Sequence, residues 1–264
     1  MLKLERIAAG YGKMPVINDI SIEFAQGRIT TIVGPNGSGK STLLKSIADL
    51  CDIKSGNIYL SGKTRQELGR KEYAKQITYL SQSRQAGAIT VGRMVLHGRF
   101  PHLSYPRQYK KEDYEHCRRA MERVGILELQ DKKVEELSGG QKQKVYLAMA
   151  LAGDAGTLLL DEPATYLDIR YQLELLEMMK QLKQQGKTVI AVLHDLNYAM
   201  YVSDWMVVLN YGRIVMQGAP QQIRDSGIIN HVFRIHAGSV EDDGGRKHFF
   251  FELQEKENSE AEQL

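Results

Sequence analysis

Residues 34–42 read Gly34-Pro35-Asn36-Gly37-Ser38-Gly39-Lys40-Ser41-Thr42 and fit the spacing G-x-x-x-x-G-K-[ST], with Gly34, Gly39, Lys40 and Ser41 in the fixed places. Ile29-Thr30-Thr31-Ile32-Val33 precedes them, a short β-branched run of the kind that forms a buried strand. Thr42-Leu43-Leu44-Lys45-Ser46-Ile47-Ala48 follows with helical character. A strand, a glycine loop and a helix in that order form a cradle for an anion. A polyphosphate must be wrapped by backbone N–H groups, so no side chain can intrude, and Gly37 and Gly39 allow that approach. The helix turns its positive end toward the phosphates. Lys40 can reach the β- and γ-phosphates, and the Ser41 hydroxyl can ligate Mg²⁺. A glycine-rich turn with a stray lysine would not need the strand and the helix around it.

The length of 264 residues suits one large domain, or a core with a subdomain. A net charge of +3 is too small to argue for nucleic acid. No stretch approaches about eighteen uninterrupted apolar residues, so no spanning helix is expected. Met1-Leu2-Lys3-Leu4-Glu5-Arg6 lacks the apolar run of a secretory signal. Cys51 and Cys117 lie far apart, form no metal-spacing motif and are expected as free thiols of a reducing compartment.

Along the chain, residues 2–33 read as β-structure, with Ile20-Ser21-Ile22-Glu23-Phe24 alternating and a turn at Gln26-Gly27. Tyr11 sits among turn residues, either as a loop aromatic or as a platform for a nucleobase. Short strands are expected from Ile58 to the turn at Gly62 and over Ile77–Ser81, the second ending at Gln82, a surface polar residue or, beside a nucleotide, one that ligates Mg²⁺ or positions water. Residues 83–107 read as irregular; their Phe100, His102, Leu103 and Tyr105 must pack under the core or meet a partner. Glu112–Val124 reads as an amphipathic helix with Tyr114, Cys117, Met121 and Val124 on its apolar face and Gly125 closing it. Leu137-Ser138-Gly139-Gly140-Gln141 then opens a helix with the face Val145, Ala148, Met149 and Ala152, and is a second possible anion site.

Thr157-Leu158-Leu159-Leu160-Asp161-Glu162 is a buried strand that delivers two carboxylates at its end, where open α/β sheets place ligands. Asp161 can hold Mg²⁺. Glu162 can act as general base toward a water. Ile169, Leu173, Leu176, Met179 and Leu182 mark a long helix ending near Gly186. Thr188–Leu193 is another apolar strand, followed by His194, either a structural histidine or a donor to a γ-phosphate. Residues 206–216 suit a hairpin, and the acid-rich end from Gln254 to Leu264 is expected to fray.

Walker A at 34–42, Leu-Ser-Gly-Gly-Gln at 137–141, Walker B with Glu162, Gln82 and His194 stand together in a fixed order. In that set the chain resembles the ATP-binding cassette ATPase family over residues 1 to about 235. The resemblance implies that Tyr11 stacks on adenine and that Lys40 and its loop bind phosphates. It implies that Ser41, Gln82 and Asp161 hold Mg²⁺, that Glu162 activates water and that His194 senses the γ-phosphate. Asp168, in Ala164-Thr165-Tyr166-Leu167-Asp168, matches the D-loop aspartate, although Tyr166 stands where serine is usual. Ser138, Gly139, Gly140 and Gln141 would then bind the γ-phosphate held by a second copy, in a head-to-tail dimer enclosing two ATP molecules.

The stretches His97-Gly98-Arg99-Phe100-Pro101-His102, Asp168-Ile169-Arg170-Tyr171-Gln172-Leu173-Glu174-Leu175-Leu176 and His194-Asp195-Leu196-Asn197 are similar to importer ATPases for iron–siderophore, haem and cobalamin complexes. The expectation is therefore the ATPase subunit of a metal-chelate importer, peripheral on the cytoplasmic face of the membrane. Residues around 83–107 would meet a permease, an extracytoplasmic solute-binding protein would be served indirectly, and no nucleic acid is involved. An exporter ATPase and a soluble cassette protein acting in cluster assembly, repair or translation are the alternatives. The expected fold is an α/β P-loop core with a mostly parallel sheet, an N-terminal antiparallel β part and an inserted helical subdomain. The core would take residues 1–85 and 155–235, the helical subdomain 86–154, and a C-terminal extension 236–264.

Overall fold

A computed structural model describes residues 1–81, 88–165, 167–241 and 247–253. The chain lays down β1 (Leu2–Gly10), β2 (Ile17–Phe24) and β3 (Ile29–Val33), enters α1 (Lys40–Ile47), and returns in β4 (Asp52–Leu60) and β5 (Lys63–Thr64). α2 (Arg65–Gln76) leads into β6 (Ile77–Leu80). A helical stretch follows: α3 (Val91–Leu96), a 3-10 turn over His97–His102, α4 (Lys111–Val124) and α5 (Gly139–Ala152). Strands and helices then alternate through β7 (Thr157–Asp161), α6 (Ile169–Gln184), β8 (Thr188–Val192), α7 (Leu196–Val202) and β9 (Trp205–Asn210). β10 (Arg213–Gly218), α8 (Pro220–Asp225), α9 (Ile228–Phe233) and the hairpin of β11 (Ile235–Glu241) and β12 (Lys247–Leu253) complete the described chain.

The central sheet runs β10-β9-β3-β8-β7-β6, and the antiparallel N-terminal sheet runs β2-β1-β4-β5. Every pairing inside the central sheet is parallel except that of β9 with the edge strand β10. Side-chain alternation splits the sheet's two faces between two apolar clusters. Ile32, Leu159, Ile190, Val192, Val207 and Leu209 face α1 and the N-terminal sheet. Val33, Leu158, Leu160, Val189, Ala191, Met206 and Val208 join the helical side with α3 to α7. Buried on both faces, β3, β7 and β8 carry apolar and β-branched residues without alternation, as parallel strands do. The expected class, a mostly parallel α/β core with an antiparallel N-terminal sheet, is the one observed. Cys51 and Cys117 are free thiols.

Several local expectations need correction. Residues 88–107 are largely helical. Thr90 caps α3 by accepting from the Arg93 N–H at 3.4 Å, and Val91, Val95 and Leu96 are buried. The glycines there suggest a loop, yet Gly98 serves close packing: a Cβ at Gly98 would lie 2.0 Å from the Met149 carbonyl oxygen on α5. Of the aromatic and apolar side chains in this stretch, Leu103 is buried while Phe100 and Tyr105 are exposed. On α4, Tyr114 is exposed and packs edge-on against Tyr109, and Ala120 takes its place in the core. On α6, Ile169 and Leu173 are exposed and the buried face is Leu175, Leu176, Met179 and Leu182. β4 begins six residues before Ile58, because Asp52–Asn57 pair with β1 around bulges. The end from Gln254 to Leu264 lies outside the described residues.

A buried ion pair ties the helices together. The Arg99 Nε–H donates to Asp113 Oδ1 at 2.9 Å, and its Nη1 donates to the Ala152 carbonyl at 3.1 Å. Asp113 Oδ2 accepts from the Lys110 N–H at 2.9 Å and so caps α4. His102 Nε2 lies 2.9 Å from the Gly153 carbonyl oxygen. Burial opposes the Asp113 charge, but the Lys110 N–H and the Arg99 guanidinium outweigh it and hold the carboxyl below its usual range. That contribution is therefore present above the ordinary carboxylate pKa and is lost as the pH falls through the lower native value. Arg99→Leu should cost about 3–5 kcal/mol, because it leaves a buried carboxylate without its partner. Adding Asp113→Leu should restore all but about 1 kcal/mol, the worth of the lost cap. Urea unfolding of the two variants checks both values, and equal losses would contradict the pairing.

Candidate active site

The phosphate loop connects the end of β3 to α1 and is braced by two neighbours. The Gly212 N–H, in the turn between β9 and β10, donates to the Ser38 carbonyl at 3.0 Å. The Asn18 N–H donates to the Gly212 carbonyl at 2.8 Å, which links that turn to β2. The loop's glycines are required by space as well as conformation. A Cβ at Gly34 would lie 2.1 Å from the Leu209 carbonyl oxygen, and Gly39, at φ 100°, would press one 2.6 Å from Ile17 Cγ2. Gly37, at φ 79°, faces open space, so ligand atoms can reach the backbone there. Asn36 is exposed, and the Pro35 carbonyl accepts from the Ser38 N–H at 3.2 Å.

Lys40 Nζ donates to the carbonyls of Gly34 at 2.8 Å and Pro35 at 2.9 Å, which curls the side chain back under the loop. Burial pushes the Lys40 ammonium below the ordinary lysine pKa, while the Glu162 and Asp161 carboxylates pull the other way. Ser38 Oγ is buried and makes no hydrogen bond. Buried polar atoms are normally paired, so an orphaned hydroxyl inside a glycine cradle marks where an anion's oxygen would sit. Thr42 is buried in the first turn of α1.

Facing the loop, β7 ends in Asp161, which is 1% exposed. The Ser41 hydroxyl donates to Asp161 Oδ1 at 2.8 Å, and the Tyr79 hydroxyl donates to Oδ2, also at 2.8 Å. A hydroxyl and a carboxylate this close are hard oxygen donors of the kind Mg²⁺ accepts together with waters and phosphate oxygens. Among the described residues no cluster of three or more His, Cys, Asp or Glu could hold a metal by itself. The donor set therefore suits a cation that arrives with its phosphates.

Glu162 follows with φ 51°, a left-handed conformation that costs a non-glycine residue roughly 1–2 kcal/mol. Its N–H donates to the Val192 carbonyl at 3.2 Å, and its own carbonyl accepts from the Thr165 N–H at 3.3 Å. This geometry turns the carboxylate out of the sheet. Its Oε1 lies 2.6 Å from His194 Nε2, just past the end of β8, and its Oε2 accepts from the Thr165 hydroxyl at 3.5 Å. A carboxylate held by a half-exposed imidazole beside a phosphate cradle is placed to take a proton from water.

The remaining sequence-derived residues lie elsewhere on the surface. Tyr11 is exposed, with Lys45 Nζ 5.7 Å from its ring centroid, so one ring face is available beside α1. Ser138 caps α5 in a reciprocal box with Gln141: the Gln141 N–H reaches Ser138 Oγ at 3.3 Å, and the Ser138 N–H reaches Gln141 Oε1 at 3.0 Å. Ser138, Gly139 and Gln141 are exposed and Gly140 is half-buried. Their helix packs on α3 and α4, whereas α1 packs on β1 and β7. The two candidate anion-binding helix starts therefore belong to different layers. Asp168 is exposed and caps α6 by accepting from the Tyr171 N–H at 3.0 Å. Gln82 and Tyr166 lie outside the described residues. Tyr79 and Thr165 are the contacts that sequence reasoning missed. The signal for Tyr79 is its place on β6, two residues before Ser81, on the same strand face as Ile77.

Comparison with known proteins agrees with this geometry. The sequence profile of the ABC transporter family matches residues 17–165. The iron(3+)-hydroxamate import ATP-binding protein FhuC of Bacillus subtilis (strain 168) is 40% identical over 91% of this chain and 90% of its own length. The ferric enterobactin transport ATP-binding protein FepC of Escherichia coli (strain K12) is likewise 40% identical over 91% and 90%. A structure described as a metal-chelate type ABC transporter in an inward-facing conformation superposes with TM-score 0.81 at 25% identity, covering 95% of this chain and 96% of that one. A nucleotide-free ATP-binding cassette superposes with TM-score 0.79 at 26% identity, covering 88% and 97%.

Ser38→Ala should separate the two roles of a buried hydroxyl. Without nucleotide the variant should be as stable as the parent or up to about 1 kcal/mol more stable, because an unsatisfied group has been removed. ATP binding should weaken about tenfold, the worth of a hydrogen bond to a charged group. Thermal melting and equilibrium titration with a fluorescent ATP analogue check the two parts; unaltered affinity would remove Ser38 from the cradle.

Proposed function

Because the chain belongs to the ABC transporter family, as an ATP-binding subunit that hydrolyses ATP, we propose that it drives import of an iron–siderophore complex, haem or a related metal chelate through a membrane permease. The observation that carries the reading is the near full-length likeness to two ATP-binding proteins of ferric-chelate transport, one of them named for import. It favours import over export and over a soluble role. Among the described residues no helix is long and apolar enough to cross a membrane, which suits a subunit bound peripherally to the permease on the cytoplasmic face.

In this reading the Gly34–Thr42 loop wraps the β- and γ-phosphates, Lys40 exchanges its carbonyl partners for phosphate oxygens, and Tyr11 stacks on adenine. Mg²⁺ held by Ser41, Gln82 and Asp161 would neutralise charge on the β- and γ-phosphates. Glu162 takes the proton from the attacking water, and His194, which holds that carboxylate here, would turn its N–H to the γ-phosphate once nucleotide is bound. Ser138–Gln141 close over the γ-phosphate held by a second copy, and Asp168 lies along the same interface. The exposure of the signature at the start of α5, in a different layer from α1, supports closure by a second copy. The exposed Phe100 and Tyr105 support permease contact by the region around 83–107. An extracytoplasmic solute-binding protein would deliver the chelate and be served only through the permease.

Directional flux of ferric hydroxamate or catecholate complexes into vesicles carrying the co-purified permease tests the assignment. Efflux, or a chain that never co-purifies with a membrane protein, would overturn it. Glu162→Gln should bind ATP, lose about 10²–10⁴-fold in turnover, and accumulate as a dimer on gel filtration with ATP. Wild-type turnover in that variant would remove Glu162 as the base.

A further inference from the structure

The Asp161 carboxylate is held on both oxygens, and the two donors come from different elements, α1 and β6. Ser41 donates its proton to Oδ1 and keeps lone pairs on its oxygen with which to meet a cation. Tyr79 donates to Oδ2 from β6, the strand beside β7. β6 and β7 are in parallel register with Tyr79 opposite Leu159, so the phenol reaches diagonally across one strand spacing to the carboxylate two residues on. The ring is partly buried against the cluster that contains Leu159, Ile190 and Val192, which fixes where the hydroxyl points. Asp161 is almost fully buried, so without that hydroxyl Oδ2 would lose a partner that bulk water cannot replace.

We propose that Tyr79 is a positioning residue for the divalent cation of the ATP site, acting by holding the Asp161 carboxylate in one orientation. The inference rests on the assignment of that cation to Ser41 and Asp161. Groups that orient a metal's carboxylate are worth about 10–100-fold in metal affinity. The phenol ring fills space that phenylalanine would fill equally, so only the hydroxyl is specific to this role.

The test uses the full chain with ATP bound and Mn²⁺ as the probe, read by electron paramagnetic resonance, beside ATP affinity measured in EDTA. Tyr79→Phe should raise the Mn²⁺ dissociation constant about 10–100-fold and leave ATP affinity in EDTA within about twofold. Asp161→Asn should weaken Mn²⁺ at least as much, and the double variant should be no weaker than Asp161→Asn alone, since both changes remove one arrangement. Parent-like Mn²⁺ affinity in Tyr79→Phe, with Asp161→Asn impaired, would overturn the inference and leave the cation assignment standing. Parent-like affinity in both would overturn the assignment and the inference with it. If Tyr79→Phe weakens ATP equally in EDTA, or if the two losses add, the hydroxyl is a general support of the fold and the proposal fails.

Discussion

Parallel pairing of β3, β8 and β7 sets where the phosphate loop, Asp161, Glu162 and His194 stand relative to one another. Ile32 lies opposite Val192, Val192 opposite Asp161, and Leu160 opposite Leu80 on the next strand. One residue of slip in any pair would exchange the two faces of that strand and move its terminal side chain by about 3.3 Å along the sheet. The apolar clusters on both faces resist such a slip, because each strand must present one set of side chains to α1 and the other to the helices. Alignment of the strand ends is thus a product of core packing, and the chemistry inherits it.

The site concentrates features that a fold would otherwise avoid. Ser38 carries an unpaired buried hydroxyl, Lys40 an ammonium that burial disfavours, and Glu162 a left-handed backbone. These costs are tolerated because the surroundings are over-determined: the turn at Gly212 holds the Ser38 carbonyl, and Val192 and Thr165 hold the Glu162 backbone. The same logic explains the Tyr79 and Ser41 hydroxyls on Asp161, which keep a buried carboxylate satisfied.

Much of this was legible in the sequence because it depends on local rules. The P-loop spacing, the apolar runs of β3, β7 and β8 and the carboxylates after Leu160 each follow from short-range pattern, and the structure brings Ser41, Asp161, Glu162 and His194 to one sheet edge. What escaped depends on partners distant in sequence. Gly92 and Gly98 imply a loop until the Met149 carbonyl is known to press against Gly98. Arg99 gives no sign of burial until Asp113 and the end of α5 surround it. Ile169 and Leu173 carry the right helical period but lie one step round from the face that the sheet covers, since Leu175 joins Leu176, Met179 and Leu182 there. Tyr79 reads as an ordinary strand aromatic until the β6–β7 register places it beside Asp161.

The grip on α5 has a mechanical consequence. Arg99 and His102 hold the carbonyls of Ala152 and Gly153 at its far end, and Ser138–Gln141 stand at its near end. With 14 residues, the helix is a rod about 21 Å long. A tilt of about 5° at the gripped end sweeps the other by about 2 Å over that length, comparable to the difference between a hydrogen bond made and one broken. A small rotation applied at the 97–102 turn would thereby be enlarged at the Ser138 end, with the buried Arg99 as its pivot.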